Sequence, residues 1–180
     1  NTGFQAPNSS IFRHKEKTMF REMRRKNQLL STAETIKILQ SCSSGVLAVA
    51  GGNGYPYAVP LSYAFQDGKL YFHGATGGHK LDAIRQNDKV SFCVIQADQV
   101  VPEAFTTHYR SAIAFGRARI LSERGEKQQA LECILEKYSP EYLAEGRAEI
   151  EREWDRLCVV EVLIEHMTGK ASRELMEQIP

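Results

Sequence analysis

The stretch His73-Gly-Ala-Thr-Gly-Gly-His-Lys-Leu-Asp82 places glycines, a histidine and a lysine where an anion could be held. Glycines let successive backbone N–H groups point the same way and form an anion-binding nest. A helix opening at the end of this stretch would add its positive terminus. His79 and Lys80 stand at that terminus and bring further donors and a charge. The pattern is not a Walker A loop, which needs Gly-Lys-Ser/Thr, because His79 precedes Lys80 and Leu81 follows it. No Gly-x-Gly-x-x-Gly follows a strand pattern, so a Rossmann dinucleotide site has no support. Spacing alone is equally met by a glycine-rich strand-to-helix turn at the surface.

A second stretch, Tyr55-Pro-Tyr-Ala-Val-Pro-Leu-Ser-Tyr63, has the chemistry of a ring-stacking strand. Pro60 removes one ladder N–H, so the strand is irregular or at an edge. An irregular strand can turn backbone groups toward a ligand, and Tyr57, Leu61 and Tyr63 offer flat apolar surface. A core strand with a local bulge satisfies the same residues. His73 ends a strand beside the glycine-rich loop, His108 precedes Tyr109-Arg110 as a surface residue would, and His14 and His166 have no supporting context. No histidine pair has metal-ligand spacing, and the four cysteines (Cys42, Cys93, Cys133, Cys158) form no C-x-x-C pair. No metal site is expected; the cysteines read as small buried hydrophobes of a reducing, cytoplasmic protein.

The elements that must carry these residues follow from periodicity. Ser31-Thr-Ala-Glu34 is a capping box opening a helix with Ile36, Ile38 and Leu39 that ends before Gly45. Strands are expected at 46–50, 55–65 and 70–73, joined by turns at 51–54 and 66–69, which makes a three-stranded meander. A short helix starts at His79 and stops near Asn87-Asp88, and a strand follows at 89–96. After a looser segment with Pro102, a long strand runs over 108–121. There Ala112, Ala114, Gly116 and Ala118 alternate with larger residues, leaving one face nearly bare for a backbone or flat ligand to approach. Residues 125–138 form an amphipathic helix, 140–155 a charged helical segment, and 157–165 the last strand. Antiparallel strands with few helices argue for a mainly β chain, a closed or half-closed barrel with appended helices.

The 180 residues allow one domain, and 42% hydrophobic with 25% charged residues describes a folded globular chain. Lys plus Arg (23) nearly balances Asp plus Glu (22), so no general drive toward nucleic acid or membrane exists. The basic run Arg21, Arg24, Arg25, Lys26 is read as a solvated arm. No apolar run reaches the ~18 residues of a membrane span, and the start lacks the apolar region of a signal peptide. The chain begins at Asn1; Met19 is a candidate native start, with 1–18 an N-terminal arm or added leader. The main domain is expected over 19–170 and a C-terminal tail over 171–180.

Tyr57-Ala-Val-Pro-Leu-Ser-Tyr63, then Asp67-Gly-Lys-Leu-Tyr-Phe-His73, then Gly78-His-Lys-Leu-Asp82 resemble, in order and spacing, the pyridoxamine 5′-phosphate oxidase-like FMN-binding split barrels. The chain is most similar to the branch of nitroimidazole-resistance (Nim-type) proteins, over about residues 20 to 170. The resemblance implies an antiparallel split β-barrel, FMN as cofactor, and a homodimer with each FMN in a cleft between subunits. It places Val59, Pro60, Leu61, Ser62 and Tyr63 along the flavin ring, and His79 and Lys80 at the phosphate. His73 and Ala75 fall near the flavin, His73 as the candidate catalytic residue, and Ser111 is a weaker transfer. The oxidases proper carry Ser-Arg-Lys where this chain has Gly78-His79-Lys80, and they end in an Arg- and His-bearing substrate grip. No counterpart stands at 170–180, which puts vitamin B6 oxidation in doubt. The implied activity is an FMN-dependent oxidoreductase passing electrons from NAD(P)H to a small redox substrate such as a nitroaromatic. A non-catalytic flavin-binding protein and a haem-handling relative of the barrel are the alternatives. The bare Ala112–Ala118 face is expected to be where two barrels pair.

Overall fold

The computed structural model of the protein describes residues 20–177. Residues 1–18, expected to be an arm or leader, lie outside the described residues. Seven strands form one antiparallel sheet: β1 (Ser44–Ala50), β2 (Pro56–Ser62), β3 (Ala64–Gln66), β4 (Lys69–Gly74), β5 (Lys89–Val101), β6 (Thr106–Ile120) and β7 (Cys158–Ala171). Their order across the sheet is β2-β1-β5-β6-β7-β4-β3. The two edge strands, β2 and β3, are joined by Tyr63 alone. One short stretch of chain therefore passes from one edge of the sheet to the other, and the sheet must curl on itself. That is the split barrel, with helices α1 (Thr32–Ser41), α2 (His79–Gln86), α3 (Arg124–Tyr138), α4 (Leu143–Glu153) and α5 (Arg173–Met176) appended.

Local signals act as expected at several places. The Ser31 hydroxyl accepts from the Glu34 N–H at 3.1 Å and caps α1. Leu39 and Ile38 of α1 enter the barrel core with Leu47, Phe72, Phe92 and Val160. A second core lies outside the barrel, where Ala130, Leu131 and Ile134 of α3 and Ile150 of α4 cover Ala64, Tyr71 and Val159.

Several expectations need correction. The strand expected over 55–65 is broken at Tyr63. Its ring is wholly buried, so the chain bends there to carry the ring inward. The strands at 89–96 and 108–121 are longer than expected. β5 and β6 pair from Lys89↔Arg117 out to Val101↔Thr106, a hairpin that supplies its own partner beyond the barrel. β7 reaches Ala171 because β6 pairs with it as far as Arg110↔Ala171. The residues after it are not simply a tail, since α5 follows and Arg110 donates to the Leu175 carbonyl at 3.0 Å. The bare face of β6 turns inward: Ala112 is 0% and Ala114 2% exposed. Small residues there leave room for Phe72, Phe92 and Val94, which fill the barrel from neighbouring strands. That face cannot pair two barrels. The opposite, outward face of β6 carries the exposed Ile113 and Phe115 instead.

Candidate functional site

β3 pairs with β4 through Gln66↔Lys69, Phe65↔Leu70 and Ala64↔Tyr71, and the pairing stops there. Carried on, the same register sets Ser62 against His73. Beyond that point the chain divides: β2 pairs with β1, and β4 pairs with β7. The free edge of β2 and the end of β4 therefore border a split in the wall. Ser62 and His73 stand at its closed end, with Leu61, Pro60 and Val59 following along the β2 side. Gly74, Ala75 and the start of α2 follow on the other side. Val59 and Leu61 are half-buried, whereas Pro60, Ser62 and Ala75 are exposed. Across the far end the His79 imidazole stacks on the Tyr57 ring, with centroids 4.1 Å apart and planes at 27°.

Gly78 is the N-cap of α2, with φ 125° and no side chain capping the helix. Only glycine takes that backbone readily, and it lets the chain turn sharply from loop to helix. Gly78 O accepts from the N–H groups of Leu81 and Asp82, which leaves the N–H groups of His79 and Lys80 for a ligand. The Lys80 ammonium lies over Gly74: a Cβ built on Gly74 would meet Lys80 Nζ at 3.4 Å. Among the described residues, the Lys80 side chain makes no hydrogen bond or ion pair. An unpaired cation at the positive end of a helix is unfavourable by itself. An anion between the ammonium and the free N–H groups resolves the conflict, and the chemistry of this donor set fits a phosphate.

His73 keeps an exposed edge, yet its imidazole titrates below the ordinary histidine value, first through desolvation and then through the charge of Lys80. A neutral imidazole offers one donor and one acceptor. His73 and Ser62 also line a cleft of about 500 Å³ whose walls include Leu131, Ile134 and Ile150 of α3 and α4. The depressed pKa has a checkable sign. Unfolded His73 binds its proton near pH 6.5 and the folded one only below that, so this group's contribution is intact above pH 6.5 and is lost as pH falls through the lower, folded value. In an NMR titration the His73 midpoint is expected below 6.5, and Lys80→Ala is expected to raise it. A midpoint unmoved by Lys80→Ala would remove the lysine as a cause.

Two of the expected cofactor-binding positions lie elsewhere. Tyr63 is 0% exposed, packs edge-on against Phe92 at 4.8 Å, and gives its hydroxyl to the Leu39 carbonyl at 2.7 Å. Its backbone is taken up as well, because Tyr138 Oη accepts from Tyr63 N–H at 2.9 Å and lies 2.7 Å from Tyr63 O. Lys137 Nζ donates to the same carbonyl at 2.9 Å and to Cys42 O at 2.6 Å. No group of Tyr63 is left for a ring, and its work is to hold the bend from which the split opens. Ser111 lies on the outward face of β6, paired with Ile95 and Lys170, and β1 and β5 separate it from β2. Within one chain it does not join the others. The clamp formed by Lys137 and Tyr138 was not visible in the sequence, where Tyr138 is one more member of an apolar stripe and Lys137 an ordinary charge. Among the described residues, no three His, Cys, Asp or Glu side chains gather as a metal site would require. No helix among them is long and apolar enough to cross a membrane.

A family model described as Pyridoxamine 5′-phosphate oxidase matches residues 31–171. No curated protein matches the chain. Among solved structures, a protein from Bacteroides thetaiotaomicron ascribed to 5-nitroimidazole antibiotic resistance is 21% identical, with a TM-score of 0.65 over 79% of this chain and 86% of that one. A FAD-binding protein from Mesorhizobium loti is 26% identical, with a TM-score of 0.61 over 81% of this chain and 97% of that one. The FAD and haem binding protein from Mycobacterium smegmatis is 23% identical, with a TM-score of 0.71 over 82% of this chain and 74% of that one.

Proposed function

The chain belongs to the pyridoxamine 5′-phosphate oxidase family, and from that premise we propose that its split binds FMN and that it works as a flavin-dependent oxidoreductase. The observation that carries this reading is the unpaired Lys80 ammonium over Gly74 at the uncapped start of α2. The FMN phosphate fits there, held by Lys80 and by the free N–H groups of His79 and Lys80. The Val59–Ser62 edge and Ala75 then flank the ring, and His79 is kept in place by its stack on Tyr57.

Flavin held there would supply the redox chemistry, hydride and electron transfer between NAD(P)H and a small acceptor. The protein's part is to anchor, to orient and to present a hydrogen-bonding edge. His73, held neutral by desolvation and by Lys80, can donate from one ring nitrogen and accept at the other. The cleft beside His73, walled by Leu131, Ile134 and Ile150, suits an uncharged acceptor such as a nitroaromatic. A homodimer belongs to the same reading. The outward face with Ile113 and Phe115 is apolar and exposed, and pairing there would bring Ser111 of one copy toward its partner.

The test is the visible spectrum of the purified protein, with the released ligand identified by mass, followed by turnover with NADPH or NADH. A flavin spectrum, an FMN mass and acceptor reduction are the expected results. Flavin without turnover would leave a flavin carrier. A haem band in place of the flavin would overturn the cofactor assignment.

A further inference from the structure

A polar cavity of about 430 Å³ opens where the segment before α1, the start of β6 and α5 meet. Its walls include Arg25, Gln28, Thr107, Tyr109, Arg173 and Glu174. Its size is that of a small-molecule site, about 300–1,000 Å³. Backbone bonds hold the walls together. Gln28 N–H donates to Arg25 O at 3.0 Å, Leu30 N–H to Gly169 O at 3.0 Å, and Ser172 N–H to Tyr109 O at 2.9 Å. The cavity is not the split. β7 begins at Cys158, opposite Gly74, over which Lys80 lies. It ends at Ala171, opposite Arg110, and Ser172 and Tyr109 beside that last rung line the cavity. The two places stand at opposite ends of one strand.

The basic run expected to be a solvated arm ends on this cavity. Lys26 finds Glu22 at 2.8 Å, whereas the Arg25 guanidinium makes no hydrogen bond or ion pair among the described residues. Arg173, from another wall, makes none either. The arginines from Arg85 to Arg156 each hold a carboxylate or a carbonyl. Lys170 adds a third charge: its ammonium stands 5.1 Å from the Tyr109 ring centroid and has no acidic partner among the described residues. Glu174 is the one carboxylate lining the cavity, and it forms an ion pair with none of the three. Cations gathered in excess around a cleft attract an anionic ligand to it.

Gln28 points the same way by a route independent of charge. It is 6% exposed, and its Oε1 accepts from Tyr109 Oη at 3.1 Å. Its Nε2 makes no hydrogen bond among the described residues. A buried amide is normally satisfied at both ends, and leaving one end unpaired is unfavourable. The hydroxyls of Thr106 and Thr107 on the neighbouring wall have no partner among the described residues either. Two guanidinium forks suit a carboxylate or a phosphate. Three cations with neutral donors beside them favour the phosphate, which brings a charge of about −1.5 to −2 and three acceptor oxygens.

We propose that this cavity is a second anion site, taking the phosphate group of a small polar ligand between Arg25 and Arg173 with Gln28 as a neutral donor. It stands independently of the flavin reading. The test is an NMR titration of the full chain with inorganic phosphate and, separately, with ribose 5-phosphate, followed at the Gln28 side-chain amide. A saturable shift of that signal is expected. Arg25→Gln combined with Arg173→Gln is expected to raise the phosphate dissociation constant about tenfold, each exposed contact contributing up to about fivefold. Neither guanidinium bonds the rest of the described chain, so the double variant is expected to melt with the parent. Lys80→Ala is expected to leave the Gln28 shift unchanged, which separates this site from the split. Tighter binding of ribose 5-phosphate than of phosphate would identify an organic phosphate as the occupant, and equal binding the free ion. No saturable shift at Gln28, or one retained in full by the double variant, would overturn the site. A shift lost in Lys80→Ala would overturn it too, by assigning the anion to the split.

Discussion

Lys80→Ala is expected to weaken FMN binding about 10- to 100-fold while leaving the fold intact. A hydrogen bond to a charged group is worth roughly 1.5–3 kcal/mol, and each 1.4 kcal/mol is about a factor of ten in affinity. The side chain has no hydrogen-bond or ion-pair partner among the described residues, so its removal breaks no polar contact of the free protein. It also lifts a cation from the positive end of α2, which favours the helix by about 0.3–1 kcal/mol. The variant should therefore melt no lower than the parent without flavin, yet bind FMN more weakly. It should also lose most of the preference for FMN over riboflavin, because riboflavin lacks the phosphate that Lys80 is proposed to hold. Calorimetric titration with both ligands checks this. Equal FMN affinity in variant and parent would place the phosphate elsewhere and remove the split as the flavin site.

Lys137→Met is expected to destabilise the protein by about 2–4 kcal/mol, since two hydrogen bonds from a charged group are lost. Lys137 holds Cys42 O at 2.6 Å and Tyr63 O at 2.9 Å, and its ammonium lies 4.0 Å from the Tyr63 ring centroid. Burial pushes its pKa down, so this ammonium is held at a cost that those carbonyls and the ring help to offset. Methionine keeps the length of the side chain and removes the donors. In a chain of this size the change corresponds to a fall in Tm of roughly 5–15 °C. Tyr138→Phe, which strips the other contact to Tyr63, is expected to act in the same direction by about 1–3 kcal/mol. Because the bend at Tyr63 opens the split beside Ser62, both variants should also loosen flavin. Thermal unfolding unchanged in Lys137→Met would show that the bend is held without Lys137, by the buried Tyr63 ring and by Tyr138.

Lys80 and Lys137 sit on opposite sides of what the sequence makes readable. The Lys80 site is legible along the chain because its parts are neighbours: three glycines, a histidine and a lysine within Gly74–Lys80. Local chemistry and helix electrostatics act over a few residues, and a few residues suffice to show them. The cap at Ser31, the apolar stripe of α3 and the edge position of Pro60 are readable for the same reason. The Lys137 clamp is not, because it joins residues 74 and 95 positions apart. Nothing local marks a lysine that will find two distant carbonyls.

By itself, then, the sequence determined the kind of most elements, the antiparallel barrel class, and the nest of donors at the start of α2. Periodicity and turn chemistry carry that information within short windows. Tertiary structure alone decided which face of β6 is inside. Alternation says that Ala112 and Ala114 share a side, and is silent on whether that side meets Phe92 or solvent. It decided the break at Tyr63, since only the closing of the barrel makes burying that ring worth a bend in the strand. It also decided that β5 and β6 outrun the barrel, because a hairpin can supply its own hydrogen bonds where the sheet has ended. Ser111 and Lys80 are both candidates along the chain, Ser111 the weaker of the two. Folding puts Lys80 at the split and Ser111 on the outward wall, because strand order joins residues by pairing and not by distance in sequence.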